Sequence, residues 1–241
     1  MYKSLIKIIV VNLLVSLFMI SCVTIDSNVE QSFFNGKLNS INLIEQPDGN
    51  TCGAACIKMV ENYYFDNSNS FNNIWQEISD ISSKGRISGK TYKIGKYLEN
   101  RDLHTSIIRF SDFKKILSYC ETNQIPAIMN VHSFENASFG HFVVFTQYLA
   151  NERLVRIRDP ENIKRELVNF DVLRKNFRKT SSKDEIGGNI IILASEKLDN
   201  RKEYICKNCN KINIVDAQIM DAISGLICTN CDNFISIRSN K

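Results

Sequence analysis

Gln46-Pro47-Asp48-Gly49-Asn50-Thr51-Cys52-Gly53-Ala54-Ala55-Cys56 is the stretch on which the reading of this chain turns. Gly49-Asn50 forms a turn, and from Cys52 onward Cys56, Met59, Val60, Tyr63 and Tyr64 recur three and four apart, the period of a helix with one buried face. A cysteine is thereby set where a loop turns into a helix. The first N–H groups of a helix have no intrahelical acceptor and its dipole favours negative charge, so a thiol at that point ionises more readily than in free cysteine. Gly53 and Ala54 keep the surroundings small and leave room for a substrate carbonyl. Gln46, six residues upstream, brings an amide that can donate to an oxyanion beside the Cys52 N–H. Cys56, one turn further on, falls on the apolar face and reads as core.

A cysteine nucleophile needs a base, and the chain holds only three histidines, His104, His132 and His141. His141 follows Phe139-Gly140 and opens the apolar run Phe142-Val143-Val144-Phe145, which puts an imidazole at the end of a strand. Asp159 closes the next strand-like run, Arg156-Ile157-Arg158-Asp159-Pro160. If these two runs form a hairpin through Asn151-Glu152, the end of one lies beside the beginning of the other, and the carboxylate can orient the ring. His104 and His132 read as ordinary surface or half-buried residues.

Around this core the chain changes character. Helical patterns run over Asn72–Ile81, Thr91–Glu99 and from Ser111-Asp112 to just before Pro126, with Phe113, Ile116, Leu117 and Cys120 on one stripe, so the first half reads as mostly helical. Ala127–Val131, His141–Tyr148, Leu154–Arg158 and Asn189–Ala194 are rich in Val, Ile and Phe and read as strands, with a helix over Asn169–Phe177. Helices first and an antiparallel sheet afterwards is an α+β plan. The expected divisions are a targeting segment over 1–22, a linker over 23–40, a main domain over 41–196 and a separate small module over 204–237.

That last module carries Cys206-Lys207-Asn208-Cys209 and Cys228-Thr229-Asn230-Cys231, two CxxC knuckles with eighteen residues between them. Two thiolates from each knuckle complete the tetrahedral shell of a structural zinc ribbon. A segment this short builds no core by itself and folds only with a metal or a crosslink. The N-terminus pulls the other way. Lys3 and Lys7, an apolar run from Ile8 to Ile20 and then Ser21-Cys22 have the parts of an export signal, and Met19-Ile20-Ser21-Cys22 resembles a lipobox whose cysteine, Cys22, would be lipidated. An exported protein meets oxidising conditions in which the same four cysteines can pair as disulfides. The regular spacing favours zinc, and the body of the protein is expected outside the cytoplasmic membrane, tethered to it.

Composition sets the wider bounds. With 241 residues, 44% of them hydrophobic and 23% charged, this is an ordinary globular chain with room for one large core and one small accessory part. The formal charge of +4 arises from thirty basic and twenty-six acidic residues scattered along the chain, which gives nucleic-acid binding no support.

From about Gln46 to Ala194 the sequence resembles the bacteriocin-processing, or double-glycine-leader, branch of the papain-like cysteine peptidases. The resemblance is carried by Gln46 with Cys52-Gly53-Ala54-Ala55-Cys56, by Gly140-His141-Phe142-Val143-Val144 and by Arg158-Asp159-Pro160, in that order. It implies a papain-like fold with Cys52 as nucleophile, His141 as base, Asp159 as orienter and Gln46 as oxyanion donor, a peptide or protein substrate, and no cofactor for catalysis. Members of that branch are often fused to an ABC transporter, whose membrane spans and nucleotide-binding motifs are not found in this sequence. An inactive peptide-binding module and an acyl-transferring or crosslinking enzyme are the two rival readings of the same residues.

Overall fold

The computed structural model describes residues 36–65, 69–81, 85–178 and 187–237. The expected targeting segment 1–22, Cys22 included, lies outside them, as does 23–35 of the linker. Residues 37–40 already belong to the domain: they form a short 3-10 turn whose Leu38 is buried, and the Leu38 N–H donates to Gln124 Oε1 at 3.1 Å.

Helix α1 (Cys52–Tyr64) starts at the cysteine, as the apolar spacing requires, and buries nearly every residue of its first three turns. Its C-terminal end is fixed by two tyrosines: Tyr63 donates to Gln124 O and Tyr64 to Ala194 O, each at 2.7 Å. Helix α2 (Phe71–Ile78), capped by Ser70, stops three residues earlier than its pattern predicts, because Ser79–Ile81 (β1) turns out to pair with Ile87–Gly89 (β2). Helix α3 spans Thr91–Glu99 and helix α4 spans Phe113–Thr122, the latter capped by Asp112 Oδ1 at 3.1 Å from the Lys115 N–H.

Between α3 and α4 lies a strand that the helical reading of the first half passes over, β3 (His104–Phe110). Its signal is present in Thr105, Ile107 and Ile108, β-branched residues with little taste for a helix. The remaining elements are β4 (Ala127–His132), β5 (Gly140–Leu149), β6 (Leu154–Arg158), β7 (Leu167–Asn169), helix α5 (Phe170–Asn176), β8 (Ile190–Ser195), β9 (Arg201–Ile205), β10 (Ile212–Asp216), β11 (Ile223–Ile227) and β12 (Phe234–Ser236). Eight of these strands make one antiparallel sheet in the order β12-β11-β3-β8-β4-β5-β6-β7. The central strands β4, β5 and β8 are buried almost throughout, which marks a sheet covered on both faces and explains their unbroken apolar sequences. The α+β plan is therefore the observed one, with β5 and β6 joined as the expected hairpin.

The C-terminal segment is not a module on a tether. β11 hydrogen-bonds to β3 along Ile223↔Phe110 to Ile227↔Ile107, and Lys37–Lys241 forms one compact unit. Val215, Ile219, Ala222, Ile223, Leu226 and Ile227 lie in the same apolar core as the helices. Thirty-odd residues lack a core of their own, and this segment is stabilised by sharing the neighbouring one. The urea unfolding of the whole domain, followed by the fluorescence of Trp75 on α2, is expected to be a single transition, and Leu226→Ala on β11 is expected to destabilise it by roughly 2–5 kcal/mol. A midpoint indifferent to that substitution would show the two parts unfolding separately.

Candidate functional site

The turn before α1 is built by Asp48. Its Oδ1 accepts from the Asn50 N–H at 2.9 Å, and its carbonyl accepts from the Thr51 hydroxyl at 3.0 Å. Thr51 occupies the N-cap position, yet its side chain makes no hydrogen bond to the helix. The first N–H groups of α1, beginning with that of Cys52, thus have no side-chain cap, and the positive end of the helix dipole lies behind them. Cys52 sits in this position 6% exposed.

Gly53 and Ala54 have a different reason to be small from the one their sequence suggests. A Cβ on Gly53 would lie 3.1 Å from Ile94 Cδ1, 3.3 Å from Ile78 Cδ1 and 3.5 Å from the Phe142 ring. Ala54 is wholly buried. These positions let the helix start press against α2, α3 and β5, and that packing sets Cys52 against the strand that carries His141.

His141 is on β5, opposite Val131 of β4, and 2% exposed. Its Nε2 lies 2.8 Å from Asp159 Oδ1 at the end of β6, and the ring lies close enough to the Cys52 thiol for that group to bias its charge. Burial works against a charge on this ring, but the hydrogen bonds to Asp159 and Cys52 and the negative charge on both outweigh it and push its pKa up to about 10. Asp159 is completely buried. Burial favours its neutral form, and the His141 ring, then Arg165 and the Glu161 N–H, overcome that and hold it below the usual carboxylate range. Gln46 is brought alongside by its backbone, whose N–H donates to Pro160 O at 3.0 Å; its side-chain carbonyl is buried without a partner among the described residues.

The other candidates fall away from this centre. Cys56 and Cys120 are fully buried core thiols whose pKa values burial drives up. His104 Nε2 meets the Arg201 guanidinium at 2.9 Å. His132 stands next along β4 from Val131, the partner of His141, so its side chain leaves the sheet on the other face. Sequence reasoning passed over Arg165, which lies 2.6 Å from Asp159 Oδ2. Its only signal was a basic residue shortly after the strand-end aspartate.

A sequence model of the Peptidase C39 family matches residues 40–181, more than half of the chain. The chain belongs to the Peptidase C39 family. It is a cysteine peptidase with an antiparallel papain-like domain, and the family match stops short of β8, the strand seated between β3 and β4. Three solved structures resemble the peptidase more distantly. A double-glycine-motif protease from an AMS/PCAT transporter, solved with its leader peptide, is 18% identical with a TM-score of 0.46, over 64% of this chain and 89% of that one. The peptidase domain of Streptococcus ComA, a bifunctional ABC transporter of a quorum-sensing pathway, is 16% identical with a TM-score of 0.49, over 65% and 99%. A C39-like peptidase from Bacillus anthracis is 14% identical with a TM-score of 0.48, over 66% and 96%. No curated protein matches the chain.

The second cluster of the peptidase lies outside the family match. The sulfurs of Cys206, Cys209, Cys228 and Cys231 lie within 4.8 Å of one another. Across the knuckles, Cys206 is 3.6 Å from Cys231 and Cys209 is 3.5 Å from Cys228. These are not disulfide separations, which are about 2.05 Å, and all four cysteines are free. Sulfurs about 2.3 Å from a central tetrahedral ion would stand about 3.8 Å apart. The two knuckles are built alike: Asn210 N–H donates to Cys206 O and Asp232 N–H to Cys228 O, with Asn210 and Asp232 each at a positive φ, 59° and 58°. The cluster has the size and symmetry of a metal site, and it rests on α3, where Glu99 accepts from Thr229 at 3.0 Å and pairs with Lys211 at 3.1 Å. No helix among the described residues is long and apolar enough to cross a membrane.

Proposed function

We propose that the peptidase cleaves a peptide bond in a peptide or protein substrate with Cys52 as nucleophile, His141 as proton carrier, Asp159 as its orienter and Gln46 as oxyanion donor. The observation that carries this reading is the buried hydrogen bond between His141 and Asp159, set beside a cysteine at an uncapped helix start. The Cys52 thiolate attacks the carbonyl carbon, and the tetrahedral oxyanion is held by the Cys52 N–H and the Gln46 amide. The imidazolium gives its proton to the leaving amine as the C–N bond breaks, leaving an acyl thioester. Water then attacks the thioester while His141 takes its proton, and Cys52 departs as thiolate. Asp159 keeps one tautomer of the ring facing the sulfur and stabilises its positive charge.

At the second cluster we infer a structural zinc ion held by Cys206, Cys209, Cys228 and Cys231. When bound, zinc supplies a closed tetrahedral link between the β9–β10 hairpin and the β11–β12 hairpin, with no open position for chemistry. The convergence of four free sulfurs within 4.8 Å of one another, at spacings that fit a tetrahedral shell and not disulfides, supports the metal. Export and a lipid tether on Cys22 remain a proposal from the sequence of the first twenty-two residues.

Cys52→Ala should abolish turnover, His141→Ala should cost at least about 10²-fold, and Asp159→Asn should reduce turnover without abolishing it; full activity in Cys52→Ala would sink the assignment. Because His141 must be protonated to release the amine, activity should fall as pH rises through about 10, the value to which Asp159 and Cys52 push its pKa. Elemental analysis of the purified protein should find one zinc per chain, lost in Cys228→Ser together with part of the thermal stability of the whole domain; equal stability with and without metal would contradict the structural role. Radiolabelled fatty acid should enter the protein made in a bacterial host and be absent from Cys22→Ser, and labelling unaffected by that change would rule the lipid anchor out.

A further inference from the structure

The buried carboxylate that orients His141 is itself held from behind. Asp159 Oδ1 accepts from the His141 ring at 2.8 Å and from the Glu161 N–H at 2.9 Å, so Oδ2 is left to one charged donor, Arg165 Nη1 at 2.6 Å. The other arm of that guanidinium, Nη2, bonds Glu135 Oε1, and the guanidinium stacks 4.6 Å from the Phe134 ring. Glu135 and Phe134 belong to the segment that runs from β4 into His141, while Asp159 and Arg165 belong to the segment after β6. Arg165 therefore straps together the two loops that flank the imidazole. A second tie runs parallel to it, from Ser133 Oγ to Glu161 Oε2 at 2.8 Å.

We propose that Arg165 is a positioning residue of the peptidase, holding Asp159 ionised and turned toward His141 without touching the substrate. This rests on the Cys52–His141–Asp159 reading above. Without Arg165, Oδ2 is a buried carboxylate oxygen with no charged donor, and the group regains its solvation by turning toward water or by taking up a proton. Either response removes the support that keeps the imidazolium beside the thiolate. The charged and titratable groups around Asp159 are His141 on β5, Cys52 and Cys56 on α1, Glu161, Arg165, Arg158 and Glu166 along its own segment, and Glu135 from the preceding loop. Arg158 and Arg156 are engaged with Glu166, and Arg158 also with the carbonyls of Ile41 and Asn39. Neither is placed to take over from Arg165.

The test needs no substrate. Iodoacetamide labelling of Cys52 is measured against pH in the full-length protein, in Arg165→Met and in Arg165→Lys, with thermal unfolding alongside. Loss of the guanidinium raises the pH at which Asp159 becomes protonated, so labelling of Arg165→Met on the acid side should be about tenfold slower, corresponding to a limb displaced upward by about one pH unit. The Lys variant keeps the charge and should return most of that loss. A folded Arg165→Met protein with the wild-type acid limb would overturn the proposal, as would an equal displacement in the Met and Lys variants, which would trace the effect to packing. Should the Met variant fail to fold, Arg165→Gln is read by the same limits. His141→Ala is labelled in parallel: if it retains the wild-type profile, the Cys–His reading itself has failed, whereas a changed profile there with no change in Arg165→Met removes only the role of Arg165.

Discussion

An ionised carboxylate with no exposure to water is the constraint around which this candidate site is arranged. Removing such a charge from water costs several kcal/mol unless it is paired and hydrogen-bonded. Asp159 meets that condition with an imidazole, a guanidinium and a backbone N–H, all within 3 Å. Each partner fixes something beyond itself. The ring is held beside Cys52, the guanidinium ties in Glu135, and the N–H sets the turn after β6. The raised pKa of His141 and the lowered pKa of Asp159 are two expressions of one interaction between them. Breaking one side leaves the other charge buried without compensation, so the group acts as a unit.

The sheet is held by a comparable dependence at its opposite edge. β8 lies between β3 and β4, and β3 would be an open edge were it not paired with β11. The four-cysteine cluster closes the end of that pairing, with Thr229 packed beside Gly95 of α3 and Lys96 bonded to Asn230 at 3.1 Å. A segment too small to fold by itself thereby covers a strand that would otherwise expose its N–H and C=O groups. What the segment gains in core, the domain gains in a protected edge.

These two features were unequally legible in the amino-acid sequence. The juxtaposition of Cys52, His141 and Asp159 could be read because it follows from local rules: a cysteine at a helix start, and a strand beginning and a strand end brought together by one hairpin. Helices α1, α3 and α5 and strands β4, β5, β6 and β8 carry strong periodicity or apolar runs and fall within a residue or two of their expected limits. β3 was missed because Ser106 and Arg109 interrupt its apolar residues and because its partners, β8 and β11, lie far along the chain. The same distance hid the union of the C-terminal segment with the main sheet. Spacing shows that four cysteines converge, but strand pairing over more than a hundred residues leaves no local mark. Arg165 escaped for a like reason, since a lone arginine in a loop announces nothing until the carboxylate it meets is known to be buried.

Where a local rule is set aside, the structure shows what is served. Among the described residues, three helices are closed at their N-termini by a side chain, α2 by Ser70, α4 by Asp112 and α5 by Asn169. Helix α3 begins after Lys90, which has no acceptor to offer. Only α1 is preceded by a residue able to cap it that does not, because the Thr51 hydroxyl is turned back to the carbonyl of Asp48. A cap is worth about 1 kcal/mol, and a helix buried along its length can forgo that much. What is preserved is a helix start whose first N–H groups have no side-chain cap beside Cys52, the place where the mechanism proposed above would put negative charge on the sulfur before attack and on the oxygen after it. By engaging the Thr51 hydroxyl, Asp48 keeps this terminus uncapped, and on the mechanism proposed for Cys52 that is the one place where an open terminus would stabilise the reacting charge.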